Sequence, residues 1–289
     1  MTLLLMHGGA SNVESDVFKR KQNAVSSALG KISDFSIDAL DLVELAVEYM
    51  ERDPHLNAGY GSILQLDGRA RMDAGICTSD RKYAGILQIE QTKTPIKIAR
   101  KLMDAAYHSI LCGEGARKFS DENGFPRENA ITVEQMEAFE ESCKTFPEIS
   151  YQSFSRDMSD LNKKKLGTVG AVAIDKKGRM AAACSTGGTK YCFPGRVGDT
   201  AIYGAGVYCS EHVAVAMTGE GDKVLRRMTA RLVEDLFLKS GNLHQAVTDA
   251  AQDLERHENG YCGIIAVSSD RQYAHAHNTA YMAFDQHAA

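Results

Sequence analysis

The sequence predicts an α+β fold in which sheets are covered by helices. Three observations carry this. Apolar, β-rich segments cluster in pairs, helical segments cluster in pairs between them, and no repeat of fixed period is present. The pairing excludes a simple alternating βαβ chain. With 289 residues, 44% hydrophobic and 25% charged, the chain can bury a sizeable core and is not disordered in bulk.

Taken in order, Thr2 to His7 reads as a buried strand that stops at Gly8-Gly9. Asp16–Leu29 and Ile37–Met50 have helical periodicity, with Ile37, Leu40, Val43, Val47 and Met50 on one face. Ser62–Leu66 and Arg69–Cys77 flank Asp67-Gly68, a two-residue hairpin signal. Tyr83–Glu90 reads as a further strand, and Thr94-Pro95 opens a helix with Thr94 as its N-cap. Ser120 to Leu166 is polar and reads as an exposed linker ending in Lys163-Lys164-Lys165. One short helix starts there at a Thr132-x-x-Gln135 capping box. Order then returns. Val169–Ile174 and Arg179–Ser185 form a hairpin about Asp175–Gly178, and Val213–Met217 is another strand. Asp222–Leu238 and Leu243–Arg256 are helices, and Cys262–Val267 with Gln272–His277 is a closing hairpin.

Composition excludes several functions. A net charge of −5, no Trp and 7% aromatics argue against nucleic acid and membrane partners. Seven scattered cysteines without C-x-x-C read as reduced, mostly buried thiols, not a disulfide framework or a zinc knuckle. The N-terminal apolar run, Leu3 to Met6, is too short for a signal peptide or a span, so a cytoplasmic location is expected. No H-E-x-x-H motif or His/Cys cluster argues for a transition metal, and no G-x-x-x-x-G-K-[ST] for a P-loop.

Four segments could carry chemistry. In Gly167-Thr168-Val169-Gly170, a threonine stands between a polar stretch and a buried strand. Left internal, it is a β-former at a strand start. If the chain is cut before it, its own α-amino group, with a pKa of about 7.7–8.0, becomes the base its hydroxyl needs. Eighteen residues on, Ser185-Thr186-Gly187-Gly188 brings a second hydroxyl to the neighbouring strand end, or is simply a hairpin-end turn. In Phe193-Pro194-Gly195-Arg196-Val197-Gly198-Asp199, a turn presents Arg196 for a carboxylate and Asp199 for an ammonium group; an internal salt bridge is the plainer reading. In Thr218-Gly219-Glu220-Gly221-Asp222, the Thr218 hydroxyl and Gly219 N–H are two donors beside a helix N-terminus that suit an oxyanion hole; a phosphate site is the competing reading. His7 alone reads more readily as a satisfied core histidine than as a functional one.

Six stretches, HGGA at residue 7, LNAGYGS at 56, GTVGAVA at 167, STGG at 185, GRVGD at 195 and TGEGD at 218, resemble in order and spacing the plant-type L-asparaginase and isoaspartyl peptidase family. Those enzymes are N-terminal-nucleophile hydrolases, and the likeness spans essentially the whole chain. It implies a single αββα four-layer sandwich domain over residues 1–289, made as one inactive precursor. Cleavage before Thr168 then gives an α fragment, 1–167, and a β fragment, 168–289, that pair as (αβ)₂. It also implies release of L-aspartate from L-asparagine or β-aspartyl dipeptides, small-molecule substrates that need no cofactor.

By the same resemblance, Thr168 is nucleophile and base, and Thr186 tunes it. Thr218 and Gly219 hold the oxyanion, and Arg196 and Asp199 hold the substrate. Asn57 lies near the nucleophile, and Gly8 and Gly9 join Gly167 in cleavage. Relatives commonly hold a structural sodium ion on backbone carbonyls of the loop before that asparagine, which here implies Met50, Glu51, Asp53, Leu56, Ala58 and Tyr60. The sequence departs from the family's pattern at Ser11-Asn12, Cys184, Thr200-Ala201 and Tyr261-Cys262. A glycosylasparaginase-like or taspase-like hydrolase, and a non-catalytic unprocessed relative, are the alternatives.

Overall fold

Leu3 to Met6 is an unbroken apolar run because it is a strand buried on both faces. Successive side chains point to opposite sides of a strand. Leu4 and Met6 enter one hydrophobic core while Leu3 and Leu5 enter another. The same division recurs along every central strand and determines the architecture.

In a computed structural model of the chain, residues 1–12, 16–105, 107–145 and 167–288 are described. The larger sheet contains β1 (Leu3–Ser11), β2 (Met72–Thr78), β3 (Tyr83–Ile89), β4 (Ile110–Cys112), β5 (Val169–Ile174), β6 (Met180–Thr186) and β11 (Tyr281–Ala288). Its order is β11-β1-β5-β6-β2-β3-β4, antiparallel except for the β3–β4 pair. The smaller sheet contains β7 (Val207–Cys209), β8 (Val213–Gly219), β9 (Cys262–Ser268) and β10 (Tyr273–His277) in the order β10-β9-β8-β7.

The described helices are α1 (Asp16–Gly30), α2 (Ala39–Glu51), α3 (Pro95–Ala105), α4 (Gly113–Glu122), α5 (Val133–Thr145), α6 (Gly221–Arg227), α7 (Thr229–Ser240) and α8 (Leu243–Glu258). Helix α2 starts where the Asp38 carboxylate accepts from Asp41 N–H and buries the stripe Leu42, Val43, Ala46, Val47 and Met50. None of the described helices is long and apolar enough to cross a membrane.

Three cores follow from strand parity. Leu4, Met6, Ile76, Ala171 and Ala183 of the larger sheet pack with Val25, Leu42, Val47 and Ile96 of the first three helices. The opposite face of that sheet, through Leu3, Leu5, Val172, Ala182 and Cys184, meets Ala214, Ala216, Ile265 and Val267 of the smaller sheet. The far face of the smaller sheet, through Val213, Val215, Met217 and Ile264, packs on Val233, Phe237, Val247 and Leu254 of α7 and α8. At about 1.5–3 kcal/mol for each large apolar side chain fully buried, these cores supply the main driving force for the fold.

The sequence-based elements agree with this frame in most places. The β5–β6 and β9–β10 hairpins stand where expected. The capping box is formed: Gln135 N–H donates to Thr132 Oγ1 (3.2 Å) and Thr132 N–H to Gln135 Oε1 (3.1 Å).

Others need correction. Ser62–Leu66 is not a strand. Asp67-Gly68 closes only a local turn, and the hairpin partner of β2 is β3. The helix expected over Asp222–Leu238 is broken at Met228, which adopts a left-handed conformation between α6 and α7. The stretch expected to be a linker contains the end of α4, a connection over 123–132 and the expected helix, α5; residues 146–166 lie outside the described residues. Thr94 precedes Pro95 at the first helical position as expected, but the Ile96 N–H of that turn is capped by the buried carboxylate of Glu51, 45 positions earlier. The short β4 and β7 and the edge strand β11 were not anticipated.

Gly170 on β5 lies opposite His7 on β1, between the sheets. A Cβ placed there would lie 2.3 Å from His7 Nε2 and 3.1 Å from Ala216 Cβ. Gly170→Ala should therefore destabilise the protein by about 1–3 kcal/mol through overpacking. A urea midpoint no lower than that of the wild type would contradict this packing.

Candidate active site

Strand parity turns the three candidate threonines to the same face, between the sheets. On β5 the even residues Val172 and Ile174 face the space between the sheets, and Thr168 precedes them with the same parity. On β6, Met180, Ala182 and Cys184 lead in the same way to Thr186. On β8, Ala214 and Ala216 lead to Thr218. All three hydroxyl residues thus stand at strand ends on inward faces.

Thr168 and Thr186 meet directly. The Thr168 hydroxyl donates to Thr186 Oγ1 at 3.2 Å, both residues being buried. Thr186 Oγ1 also accepts from Gly188 N–H at 3.1 Å, which orients it as a receiver. A narrow cleft of about 30 Å³ opens here, lined by Thr168, Thr186, Arg196, Asp199 and Gly219 among others. That is room for one or two waters while Gly167 remains attached. A larger groove of about 440 Å³ beside Arg69, Glu90 and Arg127 holds the Arg69–Glu90 ion pair and is lined by no Ser, Thr or Cys. Thr218 lies next to Gly219 with its hydroxyl buried and without a hydrogen-bond partner.

Arg196 is presented as the sequence suggested. Its N–H closes a turn onto Phe193 O at 2.9 Å, with Pro194 at the second position and Gly195 at φ 91°. The expected Arg196–Asp199 salt bridge is not the pair that forms. The guanidinium Nη2 donates to Asp222 Oδ2 at 2.8 Å. Asp199 is buried between Gly206 and Gly221, where a Cβ on either would come within 2.7 Å of its carboxylate. Its Oδ2 has no hydrogen-bond partner, an acceptor held ready in a closed space. Burial pushes the Asp199 carboxyl up to about 6, against the pull of Arg196. Asp73, on the β2 position opposite Thr186, is pushed up to about 6 for the same reason.

The remaining expected residues fall around this centre. Asn57 donates through Nδ2 to Gly188 O at 2.8 Å and accepts Ile63 N–H at 3.1 Å. A Cβ on Gly167 would lie 2.8 Å from Asn57 Cβ and 3.3 Å from Lys21 Nζ, so the residue before Thr168 has room only as glycine. Gly8 and Gly9 do not line the cleft; they form an irregularity in the β1–β11 pairing next to His7. His7 is fully buried, and desolvation pushes its imidazole down to about 3, so the ring is neutral. The sequence reading missed Asp222, Asp73 and Lys21. Asp222 lay inside a motif already noted, while the other two carry no local signal.

The carbonyl loop does not outline the expected cation site. The Leu56, Pro54 and Asp53 oxygens crowd the Cβ position that Gly61 lacks, and Asp53 O accepts from Leu56 N–H at 3.2 Å. The Met50 and Glu51 carbonyls of the expected set already accept from Asp53 N–H (3.2 Å) and Tyr60 N–H (2.7 Å).

Comparison with known proteins matches residues 1–289 to the asparaginase family. The chain is 36% identical to the plant-type L-asparaginase of Pyrococcus furiosus over 296 residues, covering 98% of this chain and 95% of that protein. It is 35% identical to the isoaspartyl peptidase/L-asparaginase of Bos taurus over 279 residues, covering 94% and 88%. The corresponding Mus musculus protein is 33% identical over 273 residues, covering 93% and 82%.

The two raised carboxyls have a thermodynamic consequence. Because their folded pKa of about 6 lies above the ordinary 3.8, the folded state binds more protons between those values, and stability falls as pH rises through that window. Asp199→Asn, which mimics the protonated form, should be more stable than the wild type at pH 7 by a few kcal/mol, with the gap closing below about pH 4. Equal urea midpoints at neutral pH would refute the assignment.

Proposed function

Because the chain belongs to the asparaginase family, we propose that it is an amide hydrolase releasing L-aspartate from L-asparagine and from β-aspartyl dipeptides. The observation that carries this reading is the Thr168–Thr186 hydroxyl pair at the mouth of a cleft that also contains Arg196 and Asp199. The three cores support an αββα four-layer sandwich, with the larger sheet under α1–α3 and the smaller under α7–α8.

Activation precedes catalysis. The Thr168 hydroxyl adds to the Gly167 carbonyl carbon, the Gly167–Thr168 C–N bond breaks, and the acyl group passes from nitrogen to oxygen. Water then hydrolyses the ester, leaving a Gly167 carboxylate and a Thr168 α-amine. The hydroxyl pair and the tight fit of Gly167 against Asn57 support this step. Loss of Gly167 from the nucleophile's side enlarges a cleft too small for an amino acid in the intact chain. The fragments, 1–167 and 168–289, stay associated because β1 of the first pairs with β5 and β11 of the second. Pairing of two such units as (αβ)₂ completes the reading.

In turnover, Arg196 takes the substrate α-carboxylate and Asp199 its α-ammonium. Thr168 Oγ attacks the side-chain amide carbon while the α-amine accepts the hydroxyl proton. The Thr218 hydroxyl, buried without a partner, and Gly219 N–H stabilise the oxyanion. The leaving amine departs with the proton. Water, deprotonated by the Thr168 α-amine, then attacks the β-aspartyl ester; the C–O bond breaks, the α-ammonium returns its proton to Thr168 Oγ, and L-aspartate is freed.

Two measurements test this. On a denaturing gel the wild type should give two bands, roughly 18 and 13 kDa by fragment length. Thr168→Ala should stay full length and release no ammonia. Normal turnover by that variant removes the nucleophile assignment. In the processed enzyme, KM for L-asparagine should rise as pH falls through about 6, where Asp199 protonates and loses its hold on the ammonium. A KM flat from pH 8 to 5 would take Asp199 out of substrate binding.

A further inference from the structure

Arg196 is held at its side chain by Asp222 and at its backbone by Gln88. Gln88 Nε2 donates to Arg196 O at 2.9 Å across 108 positions of sequence. Gln88 occupies an unusual place. It lies on β3 with φ 53°, a left-handed conformation that costs a non-glycine residue free energy. It falls where the β2–β3 register shifts: Met72 pairs with Ile89 and Ala74 with Ile86, so Leu87 and Gln88 together oppose Asp73. This is a β-bulge, which redirects a side chain out of the ladder.

Asp73 keeps the bulge in place. It is buried, and its Oδ1 accepts from Gln88 N–H at 2.7 Å and from Gln88 Nε2 at 3.3 Å. The first bond replaces the ladder bond that the bulge removes. Asp73 is also the cross-strand neighbour of Thr186. A second amide, Gln65 Nε2, donates to Gln88 Oε1 at 3.1 Å and leaves the donor end of Gln88 directed at Arg196. A buried carboxylate, a strained backbone and a long-range hydrogen bond thus converge on one carbonyl.

We propose that Gln88, fixed by Asp73, is a positioning residue that sets Arg196 at the correct distance from Thr168 for the carboxylate of the substrate. The proposal rests on the amidohydrolase reading of the site. It makes Gln88 a determinant of recognition of the amino-acid head and leaves the bond-breaking step to Thr168.

Gln88→Gly separates this from a structural role. Glycine adopts φ near 53° without strain, so the bulge is kept while the amide donor is lost. KM for L-asparagine and Kd for L-aspartate, measured by calorimetry, should each rise about tenfold, the net worth of one hydrogen bond, while kcat changes less than about twofold. Gln88→Asn, which also tolerates a left-handed backbone but has a shorter side chain, should move KM in the same direction. Asp73→Asn keeps an oxygen acceptor for Gln88 N–H and should change KM less than either. A folded Gln88→Gly or Gln88→Asn protein with unchanged KM and unchanged aspartate affinity overturns the proposal, as does a fall in kcat at constant KM. Ammonia release by the wild type is the reference. Its absence overturns the reading of the site and the proposal with it; normal wild-type turnover beside an unaffected variant overturns the role of Gln88 alone.

Discussion

Burial of both faces of both sheets is the constraint on which the rest of this structure depends. A strand alternates its side chains, so once one parity is committed to the helices the other must enter the space between the sheets. Leu4 and Leu5, Ala171 and Val172, Ala183 and Cys184 are divided in this way. Where the apolar run stops, the inward parity continues for one more residue, and on β5, β6 and β8 that residue is a threonine. A one-residue register slip would turn Thr168 toward the helices and out of reach of Thr186. The contact between the two hydroxyls is therefore a consequence of core packing.

Two of the polar groups that enter this apolar space do so where glycines leave room for them. Asp199 fits because Gly206 and Gly221 carry no Cβ, and His7 because Gly170 does not. Each inserted group bears the desolvation expected of it. The imidazole is driven neutral, and the two carboxyls are shifted toward the proton. Arg196 offsets part of that cost for both carboxyls while being paired with Asp222. The result is a small set of polar atoms held in place by an apolar frame.

Much of the site was legible because each part carries a local signal. Gly167-Thr168 at a strand start, the Pro194-Gly195 turn before Arg196 and the Thr218-Gly219 strand end are short-range patterns, and the structure brings their residues to one cleft or its edge. The helix pair α6–α7 was misread as one because Met228 is not a residue that usually turns left-handed, and propensity alone gives no break there. Ser62–Leu66 was misread because Asp67-Gly68 is a strong turn signal regardless of whether strands flank it. Asp222 changed role: within its own motif it reads as an acid at a helix start, yet it is the partner that Arg196 takes.

Composition and periodicity in the chain alone determined the α+β class, the two-sided burial of its strands and the residue types available for chemistry, since these depend on neighbours within a few positions. Only the tertiary structure decided which groups meet. Glu51 caps a helix 45 positions away, Gln88 reaches Arg196 across 108, and β11 closes on β1 across the length of the chain. No local pattern encodes such contacts. They arise when burial of apolar surface brings remote segments together and each buried donor or acceptor must then find its partner from whatever lies beside it.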